Sequence, residues 1–254
     1  MQKLGIDISK WQKGFNFDKA KKEGVEFIIL RGAYSTKKDV CFEDFYKKCK
    51  KKGIPVGVYH YTMASTVEQA KKEAELMLSI LKGKQFEYPI YLDVEDAWQR
   101  KLGKKLLTSI IKTYCDMLEK AGYYVGIYST YLYLRDYTNI NELEAYDKWI
   151  AQWAKKNTCP IEYGMWQFGG ETNKLRSTKI AGVTCDQNYC YKDYPDIIKK
   201  AGLNGFHKAG TKTVDQLAQE VIAGKWGTGL IRRRKLTKAG YDYAAVQKRV
   251  NELL

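Results

Sequence analysis

Short apolar runs alternate with longer amphipathic segments through roughly the first 200 residues of the chain. Eight of these runs are rich in β-forming residues: LGIDIS, EFIILRGAY, PVGVYHYT, PIYLDVE, YYVGIYS, KWIAQW, YGMWQFG and AGVTCDQN. Helical periodicity separates the first five, at 17–23, 41–52, 66–82, 104–121 and about 130–146, whereas no obvious long helix joins the last three. The alternation predicts an α/β fold in the form of an incomplete (β/α) barrel.

Alternation within the strands indicates which side chains face the inside of this barrel. In PIYLDVED the apolar side chains share one face, and Tyr91, Asp93 and Glu95 share the other. The same alternation places Asp7 of LGIDIS and Asp186 of GVTCDQN on the inner face. Such barrels open at the C-terminal ends of their parallel strands, where their active sites lie. We therefore predict that these four acids converge near strand ends at the mouth of the barrel.

Carboxyl groups crowded at one mouth repel each other, which raises the pKa of at least one of them and keeps it protonated near neutral pH. Cleavage of a glycosidic bond needs such a pair: a protonated acid for the leaving oxygen, and an ionised partner for the positive charge that develops on the sugar. Glu95 has the longer reach, so we assign the role of acid to it.

The spacing of Asp93 and Glu95 leaves the type of mechanism open. Residues two apart on one strand face are separated by about 6.5 to 7 Å, from a rise of roughly 3.3 Å each. Retaining enzymes with two carboxylates hold them about 5 to 5.5 Å apart and inverting enzymes about 6.5 to 9.5 Å, so the spacing disfavours direct attack by Asp93, although rotamers can close the gap. Attack by the substrate's own 2-acetamido group, oriented by Asp93, suits the wider spacing.

Other side chains of these segments are candidates for contact with a substrate. Tyrosine is frequent, with 20 residues, and a tyrosine inside a barrel is as often a packing residue as a ligand contact. His60 falls on an apolar strand face and is predicted to be a core histidine. The residues that we predict to bind substrate are Tyr61, Tyr128, Arg31, Tyr34 and Gln167.

Charge and composition narrow the classes of function. The formal net charge is +15, from 44 basic and 29 acidic residues, which favours polyanionic surroundings such as nucleic acid, a membrane surface or an anionic cell wall without choosing among them. The two histidines lie in no HExxH or Cys/His cluster, so we predict no metal site. No GxSxG, P-loop or GxGxxG arrangement occurs, and we predict no cofactor.

The N-terminal segment MQKLGIDISKW carries an acid at position 7, where a secretory signal needs a continuous apolar region. No apolar run reaches about 18 residues, the length of a membrane-spanning helix. We therefore expect a product made in the cytoplasm without a signal peptide and without stable membrane insertion.

Two glycines mark a change of organisation after the barrel. Gly205 and Gly210 lie in LNGFHKAGTK, a composition typical of a linker. We predict a barrel domain over 1–204, a linker over 205–212 and a second domain over 213–254.

The second domain is predicted to be a three-helix bundle. Thr213 and Gln216 have the spacing of a capping box and open the first helix. A second helix is expected over 230–239 and a third after Asp242. Leu217, Val221 and Ile222 are predicted to share one face of the first helix, and the third helix carries Val246, Val250 and Leu253.

Five segments of the barrel resemble, in order, those of glycoside hydrolase family 25, the lysozymes of phages, bacteria and some fungi. They are GIDISKWQ, YPIYLDVED, KWIAQW, MWQFGG and VTCDQNYC, within roughly residues 3–200. The resemblance implies a (β/α)5(β)3 barrel and an N-acetylmuramidase that hydrolyses the β-1,4 bond between N-acetylmuramic acid and N-acetylglucosamine in peptidoglycan. Residue by residue, Glu95 matches the family's proton donor, Asp93 the neighbouring acid, and Asp7 and Asp186 the acids that complete the site.

The tail resembles the cell-wall-binding repeat at the end of certain pneumococcal phage lysozymes. The matching segments are TVDQLAQEVIAGKWGTG and RRRKLTKAGYDYAAVQKRVNELL. The resemblance implies a module that recognises the glycan and stem peptide of peptidoglycan, and we expect Arg233 or Arg234 to meet anionic groups of the wall. Together the two resemblances imply a phage or prophage endolysin whose partner is peptidoglycan, with a retaining, substrate-assisted mechanism.

The sequence disfavours three alternative functions. A chitinase-type strand motif, D-x-x-D-x-D-x-E, is only half present, because Tyr88 and Tyr91 occupy its upstream positions. A non-catalytic peptidoglycan-binding protein on the same scaffold is disfavoured by the intact Asp93 and Glu95. Binding of nucleic acid through the net charge predicts affinity that falls steeply with salt, and we expect no nucleic-acid partner. The oligomeric state stays open.

Overall fold

Eight strands close into a barrel in the computed structural model of the chain, which describes residues 2–170, 179–207, 212–239 and 241–254. The strands, including three short ones outside the barrel, are β1 (Lys3–Ile8), β2 (Phe27–Tyr34), β3 (Lys37–Lys38), β4 (Val56–Tyr61), β5 (Ile90–Asp93), β6 (Val125–Ser129), β7 (Asp147–Ala151), β8 (Met165–Gly169), β9 (Lys179–Ile180), β10 (Val183–Thr184) and β11 (Asp186–Cys190). The order is β1-β11-β8-β7-β6-β5-β4-β2, and β1 also pairs with β2, which closes the circle.

The last barrel strand runs against the others. Strands β1, β2 and β4 to β8 run parallel to one another, whereas β11 is antiparallel to its two neighbours, β1 and β8. Our placement of Asp186 at a C-terminal strand end was therefore wrong, since it begins β11. Because the direction of β11 is reversed, its first residue still reaches the mouth, where it pairs with Asp7.

Five helices lie between successive strands up to β7, as the periodicity predicts. The helices of the first unit are α1 (Phe17–Lys22), α2 (Phe42–Lys51), α3 (Val67–Leu81), α4 (Lys104–Lys120), α5 (Tyr131–Tyr137) and α6 (Tyr194–Ala201). The single helical segment expected at about 130–146 is broken. Thr138 leaves the helix with extended backbone, its hydroxyl donates to the carbonyl of Leu134 at 2.5 Å, and a short 3-10 turn, Ile140–Leu143, follows.

The strands bury side chains on both faces, which is the pattern of a sheet covered by helices. Ile90, Leu92 and Val94 join the core between the barrel and its helices, and Tyr91 joins the aromatic cluster that fills the barrel interior. The predicted alternation of faces is confirmed for this strand. The interior is filled closely enough that a Cβ at Gly126 would overlap the ring of Tyr91.

His60 belongs to the outer core, as predicted, and is fully buried. Its Nε2 lies 2.7 Å from the carbonyl of Ser35, and its Nδ1 lies 3.1 Å from the hydroxyl of Tyr114. Burial lowers the pKa of His60 to about 4. The ring is therefore a neutral packing and hydrogen-bonding group at neutral pH.

The second compact unit, His207–Leu254, contains α7 (Val214–Ile222), α8 (Gly229–Lys238) and α9 (Tyr243–Leu253). The capping box of Thr213 and Gln216 is confirmed. The prediction that Ile222 shares a helical face with Leu217 and Val221 was wrong, since Ile222 is 45% exposed; Leu253, which the third helix carries as predicted, is 42% exposed. Each is the last residue of its helix, and Ile222 lies about 100° round the helix from Val221. The buried set is Leu217, Ala218, Val221, Leu236, Val246 and Val250.

The first compact unit, Met1–Phe206, extends two residues into the predicted linker. Gln85 donates its side-chain amide to the carbonyl of Gly205 at 3.1 Å, and Phe206 packs on the interior cluster. Residues 208–211 of the predicted linker lie outside the described residues. Within the described ranges, no helix has the length and apolar character that crossing a bilayer requires.

Asn204 ties three chain segments together at the bottom of the barrel. It is fully buried with a φ of 53°, a conformation that asparagine tolerates better than most residues. Its Oδ1 accepts from the N–H of Tyr124 at 2.7 Å, and its Nδ2 donates to the carbonyls of Phe86 and Tyr88 at 3.2 and 2.9 Å.

We expect Asn204→Ala to lower the free energy of unfolding by about 3 kcal/mol, because three backbone groups lose their hydrogen-bond partner and alanine tolerates positive φ less well than asparagine. The measurement is urea unfolding of the barrel followed by near-UV circular dichroism. Asn141→Ala, at an exposed position of the same unit, should change the value by less than about 0.5 kcal/mol. Equal effects of the two substitutions would contradict the assignment.

Candidate active site

Asp93 ends strand β5 and is almost removed from water. It is 4% exposed and pairs in register with Tyr61 of β4 and Tyr128 of β6. Among the described residues, none donates a hydrogen bond to its buried Oδ1. Burial, followed by the negative charges of Glu95 and Asp7, raises the pKa of Asp93 well above its ordinary value. A buried carboxyl oxygen without a hydrogen-bond partner is costly.

Asp7 is the second buried acid, and it is held by side-chain amides. Its Oδ2 accepts from Nδ2 of Asn188 at 2.8 Å and from Nε2 of Gln167 at 3.1 Å. Burial raises the pKa of Asp7 to about 6, although both hydrogen bonds oppose the shift. Gln167 continues the network, since its Oε1 accepts from the hydroxyl of Tyr128 and the indole of Trp153, each at 2.9 Å.

Glu95 lies beyond the strand end and is exposed in a cleft. It lines a cavity of about 570 Å³ together with Tyr128, Gln167 and Trp153. Partial desolvation, followed by the charges of Asp7 and Asp96, raises the pKa of Glu95, and a hydrogen bond with Tyr128 opposes the shift. A carboxyl group that is both reachable and protonated above its ordinary range suits a general acid.

Asp186 completes the acidic set from the antiparallel strand. It is half-buried and lies opposite Asp7 in the β1–β11 pairing. A Cβ at Gly170 would overlap its Oδ1, so the absence of a side chain at position 170 leaves room for this carboxylate. The structure thus brings all four predicted acids to one mouth.

The five predicted substrate-binding residues fall into different environments. Tyr128 and Gln167 line the cavity with Glu95. Tyr34 and Tyr61 stack with ring centroids 5.1 Å apart. Arg31 is 9% exposed, and its Nε donates to Asp39 at 2.8 Å. The positive charge of Arg31 opposes the rise in the pKa of Asp93. Contact between Arg31 and substrate stays a prediction.

Three residues of the site were not among the predicted ones: Asn188, Trp153 and Asp96. Asn188 stands two positions after Asp186, so period-2 alternation would have placed it on the same inner face. Asp96 follows Glu95 directly, and its hydrogen bond with Tyr61 depends on the path of the chain after β5. Trp153 ends the run KWIAQW, where period-2 alternation places it on the same face as Trp149 and Ala151 of the interior cluster.

Arg233 and Arg234, predicted to bind the wall, lie on α8 of the second unit. The guanidinium of Arg233 lies 5.9 Å from the ring centroid of Tyr243, and Arg234 is exposed. The adjacent Arg232 is instead held within the unit, donating to the carbonyl of Gly227 at 3.1 Å and to Oε1 of Gln247 at 2.9 Å.

The described residues contain no group of three or more His, Cys, Asp or Glu side chains placed to hold a metal ion.

Two relatives match the chain by sequence. The autolytic lysozyme of Clostridium acetobutylicum is 27% identical over 150 residues, which cover 59% of this chain and 44% of the relative. The lysozyme of Streptococcus phage Cp-7 is 28% identical over 204 residues, which cover 78% of this chain and 56% of the relative. The chain thus spans about half the length of these relatives.

A solved structure of similar fold is the modular autolysin LytC from Streptococcus pneumoniae, in complex with a synthetic peptidoglycan ligand. It is 27% identical, with a TM-score of 0.62, and the match covers 75% of this chain and 47% of that one. The family model described as glycosyl hydrolases family 25 matches residues 6–175, and the CW_7 repeat matches residues 215–254. Both resemblances inferred from the sequence are confirmed: the chain belongs to glycosyl hydrolases family 25 and carries a CW_7 repeat at its C-terminal end.

Proposed function

We propose that the protein is a peptidoglycan-degrading lysozyme, an N-acetylmuramidase that hydrolyses the β-1,4 bond between N-acetylmuramic acid and N-acetylglucosamine. The observation that carries this proposal is the pair at the end of β5. Asp93 is buried, with one oxygen that has no hydrogen-bond partner among the described residues, and Glu95 is exposed in the cleft with a raised pKa. Membership of the glycosyl hydrolase family supports the reaction class.

Glu95 would protonate the leaving glycosidic oxygen and later remove a proton from the incoming water. This reversal of role is what a retaining mechanism requires of its acid. Asp7, fixed by Asn188 and Gln167, would position the sugar and add negative charge near the developing positive centre. Asp186 would act from the opposite strand in the same way.

Asp93 supports substrate assistance over direct attack. Its buried Oδ1 lacks a donor among the described residues, and the N–H of a 2-acetamido group is a suitable donor. Accepting that hydrogen bond would turn the acetamide carbonyl oxygen toward the anomeric carbon. The positive charge on the cyclic intermediate would then favour the ionised form of Asp93.

We infer a division of labour between two domains, a catalytic barrel and a wall-binding repeat, in a phage or prophage endolysin that acts on the cell wall. The CW_7 match, the phage Cp-7 lysozyme and the peptidoglycan complex of LytC support this inference. A weak wall-binding site joined to the enzyme raises the local concentration of substrate without any change in the catalytic groups.

A non-catalytic peptidoglycan-binding protein on this scaffold is the second candidate. Retention of the acidic cluster disfavours it, because burying carboxyl groups together costs stability and binding alone does not need it.

We expect Glu95→Gln to reduce hydrolysis by about 100-fold or more, because the amide cannot donate a proton to the leaving group. The measurement is mass spectrometry of soluble products from purified Gram-positive peptidoglycan, with reducing-end muramic acid as the expected product of the unsubstituted protein. Glu142→Gln is the matched control, since Glu142 pairs with Lys112 on the surface. Reducing-end glucosamine would indicate a glucosaminidase, and full activity of Glu95→Gln would exclude Glu95 as the acid.

The pH dependence should reflect the raised pKa values of Asp7, Asp93 and Glu95. A general acid works only while protonated, so activity is lost as pH rises through the apparent pKa of this coupled cluster. Because the pKa of Glu95 is raised, we expect kcat on soluble glycan fragments to fall at a pH above the ordinary range of a glutamate. A decline that is already complete near pH 4.3, the value of an ordinary glutamate, would contradict the raised pKa values.

Removing two charges from the tail, in Arg233→Ala with Arg234→Ala, should weaken binding to insoluble peptidoglycan about three- to tenfold, mainly at low salt. Co-sedimentation at two ionic strengths measures this. Lys71→Ala with Lys72→Ala removes the same charge from an exposed face of α3 and is the control. Equal losses in both double variants would show that net charge, and not these two arginines, governs binding.

A further inference from the structure

Asp96, which follows Glu95 in the chain, is held in one orientation by two hydrogen bonds. Its Oδ1 accepts from the N–H of Trp98 at 3.1 Å and caps the 3-10 helix Ala97–Leu102. Its Oδ2 accepts from the hydroxyl of Tyr61 at 3.0 Å. Because one donor is main chain, the carboxylate cannot turn without losing the cap.

These contacts connect three elements at the mouth of the barrel. Tyr61 ends β4 and lies in register with Asp93, and Tyr133 of α5 donates its hydroxyl to the backbone carbonyl of Asp96 at 2.9 Å. The ring of Tyr61 stacks on Tyr34 at an interplanar angle of 23°. Asp96 therefore fixes one half of an aromatic pair that stands beside the acids.

The charge of Asp96 also acts on those acids. It contributes to the raised pKa of Glu95, after desolvation and Asp7, and to the raised pKa of Asp93, after burial, Glu95 and Asp7. The titratable groups that face Glu95 from the surrounding elements are Asp7 on β1, Tyr61 on β4, Asp93 on β5, Asp96, Tyr128 on β6 and Tyr133 on α5. Asp96 is thus a third carboxylate within four residues of chain.

We propose that Asp96 is a positioning residue for hydrolysis, which holds Tyr61 against Tyr34 as a wall of the substrate groove and supplies the negative charge that keeps the proton on Glu95. The inference rests on the proposed function. Asp96 would have two effects that can be measured separately. Its hydrogen bond with Tyr61 governs how well the substrate is held, and its negative charge governs the pH at which Glu95 loses its proton.

The test is the pH profile of kcat and KM on soluble glycan fragments for Asp96→Asn and Tyr61→Phe. Asp96→Asn removes the charge at nearly constant size, so the alkaline limb of kcat should move to lower pH by about half a unit, and KM should rise several-fold. Tyr61→Phe keeps the ring and the Asp96 charge but loses the hydroxyl, so KM should rise while the limb stays within about 0.2 units.

Asp44→Asn is the matched control, because Asp44 pairs with Lys48 on an exposed helix face; it should change neither quantity. An Asp96→Asn variant with native circular dichroism whose limb and KM both equal those of the unsubstituted protein would overturn the proposal. If that variant does not fold, Asp96→Glu decides, since it keeps the charge and displaces the Tyr61 bond: a raised KM with an unmoved limb supports the proposal, and an unchanged KM overturns it. Absence of muramic acid products from the unsubstituted protein would instead remove the proposed function.

Discussion

Burial of two carboxyl groups side by side is the constraint on which the mouth of this barrel depends. Asp7 and Asp93 are 8% and 4% exposed, and within the described ranges neither has a basic partner as close as Arg31 is to Asp39. Removing such groups from water costs several kcal/mol each unless they are neutralised or hydrogen-bonded. The two positions differ in their hydrogen bonds. Side-chain amides donate to Asp7, whereas one oxygen of Asp93 has no donor among the described residues.

The antiparallel direction of β11 brings the side-chain amide of Asn188 to Asp7. Asn188 donates to Asp7 and accepts from the indole of Trp149 at 2.8 Å, so it joins the acids to the aromatic interior. An antiparallel neighbour presents the start of its chain, and not its end, at the mouth. Asp186 and Asn188 therefore reach the site from one short strand, without the crossover helix that a parallel strand would need.

Much of this arrangement could be predicted from the sequence, because period-2 alternation is a local property. It places Tyr91, Asp93 and Glu95 on one face without knowledge of the neighbours. The direction of β11 could not be obtained in this way, since alternation is identical for a strand read in either direction. The exposure of Ile222 was missed for a related reason. At the end of a helix, a shift of one position along the chain decides whether a side chain faces the core or the solvent. Asp96 was missed because its partner, Tyr61, lies 35 residues away in the chain.

The filled interior has a consequence for the geometry of attack. Tyr91 leaves no room for a side chain at Gly126, the ring of Phe27 leaves none at Gly5, and Trp149 packs against Tyr128 with centroids 4.5 Å apart. Among the described residues, the barrel interior is packed with side chains, as in a filled core, and leaves no passage for a threaded polymer. Under the proposed function, a glycan strand must lie across the rim and the hydrolytic water must enter by the same opening, which suits a cut within a long strand as well as one near its end.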